Sequence, residues 1–272
     1  MKKFLRMFIL DVERALSLRF AISVSAIVLL MLLDNLWDFR DSLTHKGYTV
    51  YHFFFNAVVF SGLFSTYGIG VVCTMPYGQS VTQEFATEMH YQFAARSSRK
   101  AYLLSKYAVS VISSGLCVSL GYWTFILLLS LFYPFAGDAL YESGMIQFPY
   151  MDMLLNGNYI QYIGEIVYNG FLLGSIYGGV CVALSLVFRN KIIVASLPFF
   201  VRFGWIQLYR AFKVEDAIRL DRRLMMRYAL DSYRLTDLWS LIRTLVLLIV
   251  CFILFEKIAE RRWITNEGSA YI

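Results

Sequence analysis

The sequence predicts an all-α, polytopic membrane protein, with six transmembrane helices behind an amphipathic, interfacial N-terminal helix. Three observations predict it. Of 272 residues, 58% are hydrophobic, 17% aromatic and only 16% charged, whereas a soluble domain is about 45–50% apolar and about 25% charged. Mean hydropathy is +0.58. Six stretches approach the roughly 20 mostly apolar residues a helix needs to cross a bilayer. The Lys and Arg residues gather in alternate connections between those stretches, as they do in polytopic proteins. Four prolines and no hydrophilic block of domain size predict one transmembrane domain over residues 1–272.

The opening "MKKFLRMFILDVERALSLRF" places Leu5, Phe8, Ile9, Val12, Ala15 and Leu16 at helical spacing, with Lys2, Lys3, Arg6, Glu13 and Arg14 on another face. Residues 1–16 therefore read as a helix lying on the inner leaflet, its basic face toward the headgroups. The expected spans cover about 17–33, 53–75, 107–132, 163–188, 192–208 and 239–255. Residues 76–106 form the largest connection on the basic side. Residues 209–238 form an outer segment in which Val214, Ala217, Ile218, Leu224, Met225 and Tyr228 can share an apolar face.

Lys2, Lys3, Arg6 and Arg14 precede the first span; Arg96, Arg99 and Lys100 follow the second; Arg189 and Lys191 follow the fourth; Lys257, Arg261 and Arg262 follow the sixth. The first connection on the opposite side carries Arg40 and Lys46. Both termini are thus expected in the cytoplasm. Residues 209–238 run against this rule with Arg210, Lys213, Arg219, Arg222, Arg223, Arg227 and Arg234, partly offset by Glu215, Asp216, Asp221, Asp231 and Asp237.

Gly170, Gly174 and Gly178 recur every four residues, on one face of the fourth span. Such a stripe lets another helix approach closely, which drives association in lipid; it serves either fixed packing or a seam that slides. Arg202 falls near the middle of the fifth span, after Pro198. A buried arginine there costs about 2.5–3.5 kcal/mol or more, so it faces protein or water, or snorkels outward. Glu165 on the fourth span is a candidate partner for it, although nearer the outer surface. The third connection, rich in Tyr and Phe and carrying Asp138, Glu142 and Asp152, suits the outer interface.

Several chemistries are excluded. There is no GxxxxGK[ST] phosphate loop, no HExxH and no GxSxG. His45, His52 and His90 are scattered, and Cys73, Cys117, Cys181 and Cys251 lie in apolar runs without metal-ligand spacing. No catalytic residue, metal site, disulfide or nucleic-acid partner is expected, and the acids at Asp11 and Glu13 argue against a cleavable leader.

The connection "QEFATEMHYQFAARSSRKAYLLSK" (83–106), with Glu84 and Glu88 ahead of "RSSRKAYLLSK", and "LSLVFRNKIIVASLPFF" (Leu184–Phe200) resemble the type-2 ATP-binding-cassette (ABC) exporter permease family. The resemblance implies six spans, cytoplasmic ends and a helical coupling loop gripped by a separate ATPase. It implies two ATPase subunits that bind ATP and Mg, since this chain holds no cofactor. It also implies a second permease, identical or related, beside this one in a bacterial plasma membrane. On that reading Glu84 and Glu88, one turn apart, present one charged edge, and Arg96, Arg99 and Lys100 hold lipid headgroups or the ATPase. The chain itself is then no enzyme, and the cargo class is amphiphilic: a peptide, an antibiotic or a lipid-linked molecule. The alternatives are a membrane-embedded protease or lipid transferase, which would need paired polar residues at one depth, and a non-transporting immunity or scaffold subunit.

Overall fold

In the computed structural model, the described residues are 2–45, 47–59, 62–135, 150, 153–154, 156–188, 190–215, 219–225 and 233–269. Among them the regular structure is entirely helical. α1 (Lys2–Ala15) meets α2 (Leu18–Asp34) at a bend of 51°. α3 (Leu36–Ser42) and α4 (Val50–Val59) follow, then a π-helical turn (Phe64–Gly68) and α5 (Ile69–Val72). α6 (Ser80–Ala86) and α7 (Met89–Arg96) lead into the long α8 (Arg99–Ser130). α9 (Tyr159–Ser185), α10 (Lys191–Ala211), α11 (Leu220–Leu224) and α12 (Tyr233–Ser269) complete the order.

Four helical stretches are long and apolar enough to cross a membrane: Arg99–Ser130, Tyr159–Ser185, Ile192–Ala211 and Arg234–Trp263. The bent α1–α2 pair makes a fifth if taken as one span. These correspond to the third, fourth, fifth and sixth expected spans, and the bent pair contains the first. The second expected span, 53–75, departs from expectation, because it is not one continuous helix. α4 is described as far as Val59, Gly62 is not helical, and a π-helical turn precedes the short α5. Gly62, Gly68 and Gly70 weaken helix propensity across this stretch. Two charged side chains from other helices brace the break. The Asp34 carboxylate accepts the Leu63 N–H at 2.7 Å and the Phe64 N–H at 2.8 Å, filling the role of a helix cap. Arg202 of α10 donates to the Ser65 carbonyl.

α8 and α9 form the most extensive helix pair, and α1, α2 and α12 pack around them. The glycine stripe accounts for the closeness. A methyl group at Gly178 would sit 2.6 Å from the Ser110 carbonyl oxygen, and one at Gly170 would sit 2.8 Å from the Tyr122 ring. At Gly174 it would collide with the Ser114 carbonyl and approach the Val118 side chain to 2.9 Å. The pairing of 178 with 110 and 170 with 122 makes the two helices antiparallel. The seam expected from the sequence is therefore a backbone-to-backbone contact inside this chain.

The segment 209–238 is described only in part. Residues 216–218 and 226–232, including Asp216, Arg227 and Asp231, lie outside the described residues, so the continuous apolar face expected there is not fully in view. Leu224 and Met225 are buried in the main core, and Arg219 lies over the Tyr209 ring at 5.4 Å. Most of the third connection, including Asp138, Glu142 and Asp152, also lies outside them.

Candidate functional site

α1 has three faces rather than two. Met7, Asp11 and Ala15, four residues apart, turn inward against the bundle, while Leu5, Ile9, Leu10 and Leu16 remain exposed. A carboxylate on the buried face needs a partner, because an isolated buried charge costs several kcal/mol (about the desolvation of one ion). The partner comes from the first two turns of α8. Lys106 is fully buried, and its Nζ lies 2.8 Å from Asp11 Oδ1 and 2.6 Å from Glu84 Oε1 of α6. Its third proton goes to the Tyr77 hydroxyl at 2.8 Å. All three ammonium donors are therefore used.

The remaining carboxylate oxygens are satisfied as well. Ser105 Oγ donates to Asp11 Oδ2 at 2.6 Å, and Tyr102 Oη donates to Glu84 Oε2 at 2.8 Å. Arg14 reaches Glu84 Oε1 at 3.5 Å from a half-exposed position. Two acids thus face two bases, and the group is charge-balanced. The rings of Tyr77, Tyr102 and Phe93 lie 5.2, 5.5 and 5.6 Å from Lys106 Nζ, and their π faces favour the cation in this dry setting. Burial, then the Asp11 and Glu84 carboxylates, push the Tyr77 phenol well above its ordinary range, so it remains a neutral hydroxyl. The arrangement joins four parts of the chain: α1, the turn at 73–79, α6 and the start of α8.

A second layer covers it. Phe85 of α6 stacks on His90 of α7 with centroids 4.0 Å apart. Trp263, near the end of α12, packs against Phe85, His90 and Tyr102 and is 1% exposed. Burial holds the His90 imidazole below its usual range, partly offset by the Glu84 carbonyl and the Glu84 and Glu88 charges. The last turns of α12 thus clamp the α6–α7 corner onto the same junction.

The structure places the expected coupling residues unevenly. Glu84 and Glu88 do not share a charged edge, which corrects the sequence reading. The helix breaks at Thr87, and Glu88 adopts a left-handed backbone (φ 57°) as the first residue of the next turn. Glu84 consequently points into the ion-pair junction while Glu88 is exposed. Arg99 and Lys100 are exposed at the start of α8, and the Arg99 guanidinium lies 5.5 Å over the Trp263 ring. Arg96 closes α7; its side chain lies outside the described residues.

Arg202 and Glu165 are not partners. Arg202 reaches the Ser65 carbonyl and the Met225 sulfur at 3.4 Å, while the Glu165 carboxyl meets that of Asp237 on α12. The expectation failed because position along two helices does not fix which neighbour each side chain meets.

Sequence reasoning missed Lys106 and Asp11 as a pair. The signal was present in both helices. Asp11 interrupts the spacing of Met7 and Ala15 on one face of α1, and Lys106 lies one turn before Ser110 on the face of α8 that meets α9.

Among the described residues, no group of three or more His, Cys, Asp or Glu side chains could hold a metal ion. No protein-family model, curated protein or solved structure matches the chain.

Proposed function

We propose that the chain is the membrane subunit of an ATP-driven exporter of the type-2 ABC kind, moving an amphiphilic cargo outward with force supplied by separate ATPase subunits. It would cross a bacterial plasma membrane six times with both ends in the cytoplasm, the broken stretch 53–75 serving as the second crossing. The observation that carries this reading is the ion pair of Lys106 with Asp11 and Glu84. A motor outside the membrane can work only through a handle coupled stiffly to the spans. The α6–α7 corner offers such a handle, because Glu84 ties it to α8 through Lys106, and Lys106 ties both to α1. A displacement of α6–α7 then moves α1 and the inner end of α8 together, the kind of coupled two-arrangement element that switching requires. The exposed groups at the corner, Glu88, Arg99 and Lys100, are the surface an ATPase would grip. A second copy of this chain, or a related permease, would complete the pathway.

The test is copurification from the native membrane. A soluble ATPase with a phosphate loop should accompany the protein, and Glu88→Lys combined with Lys100→Glu should release it without lowering the melting temperature. A folded, membrane-inserted protein that carries no ATPase from native membranes would overturn the reading.

A further inference from the structure

At the end of the bundle remote from Lys106, a second polar group stands apart from the junction. Glu165 lies in the second turn of α9 and Asp237 in the second turn of α12. Tyr168 Oη donates to the Asp237 carbonyl at 3.1 Å, and Gly179 lies against Leu248 farther along. The two contacts are equally spaced on both helices, so α9 and α12 run parallel and bring the two acids to the same level. Their carboxyl groups are within hydrogen-bonding reach of one another. Yet Glu165 Oε2 and Asp237 Oδ1 are both buried and receive no hydrogen bond from the described residues.

Two ionised carboxylates cannot hydrogen-bond to each other, since neither has a hydrogen to donate. In a low-dielectric setting two such charges also repel, and a proton shared between them relieves both problems. A second feature points to the same ligand. Ser240 and Thr244 follow Asp237 by one and two turns on the side of α12 that faces α9. Each is 1% exposed, and neither Ser240 Oγ nor Thr244 Oγ1 has a hydrogen-bond partner among the described residues. A hydroxyl with neither donor nor acceptor satisfied inside an apolar bundle is costly, and two in line with a carboxyl pair give a proton or water somewhere to go.

We propose that Glu165 and Asp237 form a proton-binding site, one exchangeable proton shared between the two carboxyls, with the Ser240 and Thr244 hydroxyls extending it toward the middle of the bundle. The shared proton bonds one oxygen of each acid and leaves the pair with a single negative charge. Other charged or titratable groups on the elements packed here are Tyr168 on α9, Arg234 and Arg243 on α12, and Arg219 and Arg223 at α11; the side chains of Asp221 and Arg222 lie outside the described residues. Arg223 is 2% exposed, so α11 brings a buried positive charge to the two helices that carry the pair. The site is independent of the exporter reading and would exist whether or not an ATPase binds.

Dicyclohexylcarbodiimide, an apolar reagent that adds to protonated carboxyls, tests this on the full chain in lipid nanodiscs. At about pH 8, where ordinary carboxyls near pKa 4 are ionised, mass spectrometry should find an adduct on Glu165 or Asp237, and labelling should fall as pH rises further. In Glu165→Gln, labelling of Asp237 at that pH should drop at least about tenfold, the effect of one pK unit; Asp237→Asn should do the same to Glu165. Absence of an adduct at both acids in the folded wild-type protein from about pH 6 to about pH 8 overturns the proposal, and this result needs no variant to fold. Undiminished labelling of the remaining acid in the single variants overturns the sharing. Protection by sodium at constant ionic strength overturns the proton assignment in favour of a metal cation.

Discussion

Lys106 Nζ lies 2.6 Å from Glu84 Oε1, across 22 positions of sequence, and both side chains are buried. The contact welds the corner formed by α6 and α7 to the first turns of α8. Because the same ammonium holds Asp11 at 2.8 Å, the N-terminal helix shares the joint. A buried ion pair is weak evidence for net stability, since desolvation offsets most of the attraction; what it supplies is a unique arrangement that other packings cannot satisfy.

Removing the cation alone should therefore be severe. Lys106→Met leaves Asp11 buried without a counter-charge and Glu84 with only the longer contact to half-exposed Arg14, and a loss of about 3–5 kcal/mol is expected from breaking such a pair. The measurement is thermal or denaturant unfolding of the purified protein in detergent. Adding Asp11→Asn and Glu84→Gln to Lys106→Met should recover much of the loss. If the triple variant were no better than the single one, the junction would not be acting as a charge-balanced unit.

The α8–α9 seam makes a second prediction. Gly174→Ala puts a methyl group against the Ser114 carbonyl, which is backbone and cannot rotate away. Overpacking of this kind costs about 1–3 kcal/mol. Gly164→Ala is the control on the same helix: no atom lies within 4 Å of a methyl group there, so helix propensity should make it neutral or stabilising by up to about 1 kcal/mol. Equal unfolding midpoints for the two variants would contradict the close approach.

Arg202 should behave as a brace for the broken stretch 62–72. Arg202→Ala removes the donor to the Ser65 carbonyl, and loss of a hydrogen bond from a charged group costs about 1.5–3 kcal/mol. Hydrogen exchange should rise locally in the π-helical turn and α5, with α8 and α9 unchanged. Exchange spread evenly over the bundle, or unchanged at 62–72, would remove the bracing role.

His90 predicts a pH dependence. Its pKa is lowered in the folded protein by burial, so the folded state holds fewer protons than the unfolded state wherever free histidine is charged. The linkage relation then makes stability rise with pH. The contribution is complete above the ordinary histidine value of 6.5 and is lost as pH falls below it toward the depressed folded value. His90→Phe keeps the stack on Phe85 and should flatten this part of the curve. A wild-type slope identical to that of His90→Phe below pH 6.5 would count against a neutral, buried imidazole.

Much of this protein is legible from composition and spacing alone. Apolar runs as long as a bilayer is thick must become helices, since no other single segment satisfies its own backbone in lipid. That is why the stretches around 107–132, 163–188, 192–208 and 239–255 were recognisable, and why the four-residue glycine stripe announced a close helix contact. The tertiary structure alone decided the rest. It broke the stretch 53–75, which hydropathy reads as uniform, because Asp34 and Arg202 arrive from other helices to satisfy the freed backbone groups. It turned Glu84 inward and left Glu88 outside, because one left-handed residue redirects the helix between them. It paired Lys106 with Asp11, and Glu165 with Asp237 rather than Arg202. Local sequence sets the period and apolarity of each helix, whereas partners for buried charges are chosen by the rotation and register of whole helices, which emerge only when all of them pack together.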